Sequence, residues 1–345
     1  MDKLTRRAFV NVFYAGKDIS LSLQQYMTGF SIIDNANSTI DSIEFSLRND
    51  GNRFLKKEWD FPKKARFDVK LTTINWEKEN EGMKERALGS FYIDDKNYSK
   101  EKITIKGLSI PLGNIQDQKN SKHWEKISLK KLGEEIAKKY NLKYLFLAKE
   151  EKGAEFKSLN QDKETDLGFL SKVCEEEGMN LKITFDKLVI FDEEVYENKP
   201  IVRVINLEKT EVLSWDIRNK SKEIYDAVLL VFSNSKKGKE EKYFYSITGK
   251  KEKEEGQKIL KINRRGSGHN LEKYAKKALK RANKEEIELT LNIIGELSFS
   301  ASSCFLLENA GMYNGKYYIK QVKRSLEPFV TSISCYRIGG EYGIS

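Results

Sequence analysis

The chain has 345 residues, 39% hydrophobic and 33% charged, with a formal net charge of +10. At the usual ~100–200 residues per domain this allows two or three domains, and interspersed charges of both signs read as a wetted globular surface and exclude wholesale disorder. No apolar run approaches the ~18–20 residues of a membrane span, and Met1–Asn11 is too charged for a secretion signal. Cys174, Cys304 and Cys335 are odd in number, widely spaced and set in apolar patterns. They are expected as buried thiols in a reducing compartment and not as a disulfide frame.

Residues 1–112 read as a β-rich block. Phe9–Tyr14 is a strand, followed by a turn at Ala15-Gly16-Lys17-Asp18. Ile43, Phe45 and Leu47 alternate with polar neighbours, as do Phe67, Val69 and Leu71, the period of a half-buried strand. Ala87–Asp94 and Lys102–Leu108 predict a hairpin around the polar stretch Asp95–Glu101, and Pro111 closes the block. Several strands at this spacing suggest a small barrel or sandwich.

Residues 113–200 read as an α/β module. Ser128 is placed to cap a helix with Leu129, Leu132, Ile136, Ala137 and Tyr140 on one face. Gly133 inside it weakens the helix by about 1 kcal/mol relative to Ala unless it permits close packing. Tyr144–Leu147 predicts a short strand. Thr165 caps a second helix, with Asp166 where the dipole favours an anion, a stripe of Leu167, Leu170 and Cys174, and Gly178 as the stop. Leu181, Ile183 and Phe185 alternate up to a turn at Asp186-Lys187, and Leu188–Phe191 returns.

Residues 201–345 return to β with one helix. Glu223–Phe232, Tyr243–Ile247 and Ile259–Ile262 predict strands, separated by charged loops at Ser235–Glu241 and Lys250–Gln257. Arg264–Asn270 is a Gly/Ser turn, and Asn270 caps a helix buried through Leu271, Tyr274, Ala275, Ala278 and Leu279. Ile287, Leu289, Leu291 and Ile293 alternate strictly. Asn314-Gly315 predicts a hairpin between a strand ending near Tyr313 and Tyr317–Val322, and a last strand covers Phe329–Ile338. There is no fixed-period repeat. Two β-rich blocks flank the α/β piece, a coarse duplication that residue identities do not establish.

Catalytic chemistry finds little support. Only His123 and His269 are present, with no second histidine at ligand spacing and no C-x-x-C pair, whereas a structural zinc needs about four N or S ligands. Cys174 and Cys304 read as core residues and not as half of a Cys–His nucleophile pair. The acidic runs Asp94-Asp95, Glu175-Glu176-Glu177 and Asp192-Glu193-Glu194 yield no opposed pair of the kind a glycosidase requires. A peptidoglycan-degrading enzyme is the first alternative reading, with Glu177 and Asp94 as the acids to change. Arg264–Asn270, RRGSGHN, lies between a strand and a helix as a dinucleotide loop would, but Leu271 stands where the third glycine is needed. It reads as a turn and a cap. Lys242–Tyr245 and Lys316–Lys320 interleave aromatics with lysine, as a nucleic-acid-binding protein would. That is the second alternative, although such patterns are ordinary in a β core. No catalytic, cofactor or metal residue is assigned, no cofactor is expected, and the partner-binding residues stay open.

The motifs, taken together and in order, resemble a known family. Gln161–Gly178, QDKETDLGFLSKVCEEEG, followed by a hairpin, is similar to the central signature of the phage late control gene D proteins. Gly89-Ser90-Phe91-Tyr92-Ile93-Asp94 resembles that family's G-x-F-x-I-D strand. Ser121–Trp124 before the LGEEIAKKY helix resembles the segment upstream, and Gly315-Lys316-Tyr317-Tyr318-Ile319-Lys320-Gln321-Val322 resembles the closing G-x-Y-x-I-x-x-V hairpin. The resemblance covers roughly residues 5–338. One departure is Lys323-Arg324 after the last motif, where the family often has a histidine.

The resemblance implies a baseplate hub protein of contractile phage tails, R-type bacteriocins and related contractile injection systems. The implied fold is α+β, mainly β. Two related β-barrel-like tube domains, residues 1–112 and 201–345, flank an α/β module at 113–200. Three chains would form a ring, a homotrimer adapting a six-fold tail tube to a three-fold central spike. The implied partners are the chain itself, the spike protein, the tail tube or tube-initiator protein and other baseplate proteins, with no membrane and no specific nucleic acid. The implied location is the tail baseplate, with assembly in the bacterial cytoplasm. No turnover is required of such a protein, which is therefore expected not to be an enzyme.

Overall fold

Alternating apolar residues become strands wherever they occur in the N-terminal block of the computed structural model, which describes residues 5–339 except 38, 63, 111–117, 150, 185, 235–238, 253 and 266–270, with backbone alone at 232–234, 239–241 and 264–265. The strands are β1 (Arg7–Tyr14), β2 (Lys17–Asp18), β3 (Met27–Asn35), β4 (Ser42–Arg48), β5 (Arg66–Ile74), β6 (Met83–Tyr98) and β7 (Lys102–Leu108), with a short helix α1 (Ser20–Gln24) after β2. They pair in the order β2-β1-β5-β6-β7-β4-β3, each pair antiparallel. Val10, Val12, Phe30, Ile43, Phe45, Phe67, Leu71 and Phe91 fill the core. The β6–β7 hairpin is tighter than the sequence predicts. Ser99 and Lys102 bond each other across the turn (Ser99 N to Lys102 O, 2.9 Å), so Asp95–Tyr98 is strand and not loop. Strand β3 is not predicted, because Gly29, Asp34 and Asn35 interrupt its apolar Phe30, Ile32 and Ile33.

The middle module follows as β8 (Lys119–Ser128), α2 (Leu129–Lys139), β9 (Lys143–Leu147), β10 (Glu155–Thr165), α3 (Asp166–Glu176), β11 (Asn180–Thr184), β12 (Lys187–Phe191) and α4 (Glu193–Glu197). Both predicted caps form: Ser128 Oγ accepts from Lys131 N (3.3 Å) and Thr165 Oγ1 from Gly168 N (3.2 Å). Gly178 follows α3 at φ +67°. Gly133 has a packing reason, since a Cβ there would stand about 2.6 Å from both Ile190 and Tyr144. The helices cover a three-stranded sheet in the order β11-β12-β9, the second pair parallel, while β8 and β10 form a separate ribbon. Cys174, Leu170 and Val173 are in the module's core and Leu167 is at its margin. Asp166 is buried and accepts from Lys139 Nζ (2.6 Å), Tyr140 Oη (2.7 Å), Gln161 Nε2 (2.8 Å) and Asn120 Nδ2 (3.0 Å). Burial opposes its charge, but these donors prevail and hold the carboxyl below its ordinary range.

The last part contains β13 (Ile201–Asn206), β14 (Val212–Asn219), β15 (Ala227–Asn234), β16 (Lys239–Ser246), β17 (Ile259–Arg265), α5 (Leu271–Asn283), β18 (Ile287–Ile294), β19 (Cys304–Glu308), β20 (Gly315–Leu326) and β21 (Val330–Arg337). Strands β15, β16 and β17 do not join the large sheet. They form their own sheet, ordered β16-β15-β17, against α5, with Val228, Leu230, Ala275 and Leu279 as its core. This second small α/β unit is inserted between β14 and β18, which pair directly. Asn314-Gly315 is not a two-residue turn. Strand β19 stops at Glu308, and Asn314 Oδ1 reaches back to Ala310 N (2.7 Å) to close a longer connection. Pro111, Phe185, the loop at 235–238 and the 266–270 part of the Gly/Ser turn, with the Asn270 cap, lie outside the described residues.

The large sheet is continuous over thirteen strands, and its two halves, each an open barrel-like unit around its own core, have one plan. The second is ordered β13-β19-β20-β21-β18-β14, and the first, without the short β2, is β1-β5-β6-β7-β4-β3. Numbered along the chain, each is 1-4-5-6-3-2. They differ in one pair, β1–β5 being antiparallel and β13–β19 parallel. Their bulges coincide as well: β6 slips past β7 between Ile93 and Asp95, and β20 past β21 between Ile319 and Gln321. Likewise β3 slips past β4 between Met27 and Gly29, and β14 past β18 between Val212 and Ser214. This register places Gly89, Phe91, Tyr92 and Ile93 on Gly315, Tyr317, Tyr318 and Ile319.

The barrels are joined through β20. One edge of it pairs with β19 at Gly315–Tyr318 and with β3 at Gln321–Leu326. Side chains reinforce the junction. Trp76 Nε1 donates to Gly295 O (2.7 Å) and its ring meets Phe329 at 5.0 Å. Arg86 donates to Leu297 O and to Ser300 Oγ (2.7 Å). Arg324, which stands near where the resembling family often has histidine, is buried and donates to Glu296 O (3.0 Å) and Phe299 O (2.5 Å). Burial, and the nearby Arg86, push its pKa down to about 9.

Candidate assembly surfaces

The residues with potential chemistry are dispersed or structurally engaged. Among the described residues no group of three His, Cys, Asp or Glu side chains is placed to hold a metal. Cys174, Cys304 and Cys335 are buried free thiols, and burial raises all three, Cys304 to about 11. His123 is exposed and bonded to Asn160, and His269 lies outside the described residues. Tyr317 and Tyr318, which interleave with lysine in the sequence, are fully buried, and Tyr243 and Tyr245 pack on the α5 unit. These aromatics form no exposed stacking surface. Asp94 and Asp95 are exposed on β6.

The acidic runs of the middle module meet the basic face of α5. Lys277 Nζ lies 2.7 Å from Asp192, Lys280 Nζ 2.9 Å from Glu197 and 3.3 Å from Glu194, and Lys284 Nζ 2.9 Å from Glu193. Arg281 reaches Glu175 at 3.3 Å. Asp192 also caps α4 through Glu194 N (3.2 Å). Glu197 turns its other oxygen to Tyr336 Oη (2.8 Å), which ties the contact to the second barrel. Burial works against the charge on Lys280, yet Glu197 and Glu194 raise its pKa; Glu194, also opposed by burial, is lowered by Lys149 and Lys280. These pairs, most of them part-buried, form a clasp between the two α/β units. The acidic runs, in which the sequence shows no opposed catalytic pair, supply ion-pair partners here.

A second buried group ties the middle module to the first barrel. Lys182 of β11 donates to Asp34 (2.6 Å) and Asn35 O (2.5 Å) and lies 3.5 Å from Asp41. Burial and the charge of Asp34 outweigh Lys182 and push Asp41 up to about 6.

What remains open is strand edge. Among the described residues, β14 pairs only with β18 and β13 only with β19. Their apolar side chains face out: Leu213 and Trp215 are each 53% exposed, with Ile201, Val202 and Val204 beside the other edge. Long unpaired apolar edges are templates for pairing with another chain.

No protein-family model and no curated protein sequence matches the chain. Solved structures do. A tail protein from Neisseria meningitidis MC58 is similar over 96% of this chain and 97% of its own, at 12% identity and a TM-score of 0.72. The 43 kDa tail protein of prophage MuSo2 from Shewanella oneidensis is similar over 95% and 98%, at 14% identity and 0.67. An E. coli component of the type VI secretion system, described as structurally similar to the T4 bacteriophage tail proteins gp27 and gp5, is similar over 96% and 78%, at 12% identity and 0.55. The chain therefore has the fold of phage tail proteins, mainly β within the α+β class.

Proposed function

We propose that the chain is a structural hub of the late control gene D kind. It belongs to the baseplate of a contractile tail, bacteriocin or related injection particle assembled in the bacterial cytoplasm. In this reading three copies form a ring between a six-fold tail tube and a three-fold central spike. The partners are the chain itself, the spike, the tube or tube-initiator protein and other baseplate proteins, and the chain works by geometry without turnover.

One observation carries the reading: a single chain holds two open barrel-like units of the same strand order. Three chains then supply six barrels that are near-equivalent to a tube subunit while keeping true three-fold symmetry for a spike. Ring closure through heterologous contacts is the ordinary way to such an assembly. The shared fold with tail proteins supports it.

The test is sedimentation of the purified chain over a concentration series, alone and with candidate spike and tube proteins from the same genome. A species of three chains, alone or on a partner, is expected. A monomer at every concentration that binds neither partner would sink the proposal.

A further inference from the structure

The two barrels leave unequal edges. Strand β3 of the first barrel is covered by β20 of the second in the register Ile32–Arg324, Ile33–Lys323, Asp34–Val322 and Asn35–Gln321. Strand β14 is the second barrel's counterpart of β3, by order and by bulge, and its outer edge is open among the described residues. The matching stretch is on β6, the first barrel's counterpart of β20, where no strand pairs on that side among the described residues, although Lys96 Nζ donates to Asp60 (3.1 Å) and Phe61 O (2.8 Å). Its β5 side is paired only as far as Ile93, whose N–H donates to Ala65 O (2.9 Å). Beyond it Asp94, Asp95, Asn97 and Tyr98 are exposed, on the stretch that corresponds to the one where β20 takes β3.

We infer that β14 of one copy pairs antiparallel with the 95–98 stretch of β6 in the next copy, which repeats between chains the β3–β20 junction found within one. Carrying the register across by the shared bulges sets Ile217 opposite Tyr98, Arg218 opposite Asn97, Asn219 opposite Lys96 and Lys220 opposite Asp95. Main-chain ladder bonds supply the affinity of such strand addition, and side chains set its register. The chemistry agrees. Arg218 comes to the Asp94-Asp95 end, with Lys220, itself paired with Glu288, beyond it, and Tyr98, 37% exposed, comes to the Ile217–Trp215 end. Trp215 corresponds to Phe30, which is 3% exposed where its strand has a neighbour, against 53% for Trp215. Each chain carries one β14 edge and one β6 edge, so the contact is head-to-tail and closes only as a ring.

This inference rests on the ring reading, and disulfide trapping separates the two. Paired residues on neighbouring antiparallel strands have Cα atoms about 4.5–5.5 Å apart, within disulfide reach, and the three native cysteines are buried. Arg218→Cys with Asn97→Cys replaces two exposed side chains. Mild oxidation of this double variant is expected to give reducible covalent dimers and trimers, absent from either single variant. Arg218→Cys with Asp95→Cys, two residues out of register, is expected to cross-link at least tenfold less. A protein that sediments as a trimer without cross-linking through 218 and 97, or that cross-links better through 218 and 95, would overturn the strand pairing and leave the ring intact. A chain that neither cross-links nor leaves the monomer, with or without its partners, would overturn both.

Discussion

Gly89 and Gly315 hold the same place in the two barrels, each opening a G-x-(F/Y)-Y-I run on the long central strand, at φ +132° and +143°. These are conformations that a residue with a Cβ rarely adopts. At Gly315 a Cβ would also press on the Arg337 guanidinium at 3.1 Å. Gly315→Ala and Gly89→Ala are each expected to destabilise the chain by about 1–3 kcal/mol. The midpoint of urea unfolding checks this, with an Ala substitution at the open turn glycine Gly256 as a reference for backbone strain without a sheet around it.

Gly295 is a matter of space. A Cβ there would run into the Phe329 ring, which itself rests on Trp76 across the barrel junction. Gly295→Ala is expected to cost about 1–3 kcal/mol by overpacking. Hydrogen exchange is expected to rise along β3 and the C-terminal half of β20, where the barrels share a ladder, more than in the middle module.

Asp166 gathers four donors at the start of α3. Asp166→Ala leaves Gln161 buried without its carboxylate and is expected to destabilise the module by about 2–4 kcal/mol. The sign with pH follows from its lowered pKa. The carboxylate's contribution is present above the ordinary value near 3.8 and is lost as pH falls through the lower folded value. The difference in stability between the two proteins is expected to start shrinking as pH falls below about 4 and to close only once pH is below the folded value.

The clasp is testable by charge reversal. Lys284→Glu sets a second carboxylate against Glu193, both sites being about 15% exposed. Breaking a buried pair in this way is expected to cost about 3–5 kcal/mol. The double variant with Glu193→Lys is expected to recover much of that. Protease nicking near Lys199 and Lys222, which flank the two α/β units, is expected to rise in the single variant and fall back in the double.

Much of the fold is legible in the sequence where its signals are local. Caps at Ser128 and Thr165, the stop at Gly178 and the strict alternation of Ile287–Ile293 each dictate their element within one or two turns of chain. Strands β8, β10, β13 and β14 are not legible because they are ribbons or edges. Lys119–Ser128 buries little beyond Trp124, Ile127 and Ser128, so no period-2 pattern marks it. The duplication is written in the Gly89 and Gly315 runs, yet only strand pairing and coincident bulges show that they are equivalent. The clasp joins acids near residue 193 to lysines near 280, and opposite charges that distant in sequence carry no sign of their pairing.

In the proposed assembly one chain supplies two of six barrel-like units in a three-fold ring. Electron microscopy of the purified chain, alone and mixed with a candidate spike protein from the same genome, measures this directly. The expected images are rings of three-fold symmetry with six barrel densities around a channel, seated on the spike. Single two-barrel particles under both conditions, or a closed ring of any other chain number, would contradict it.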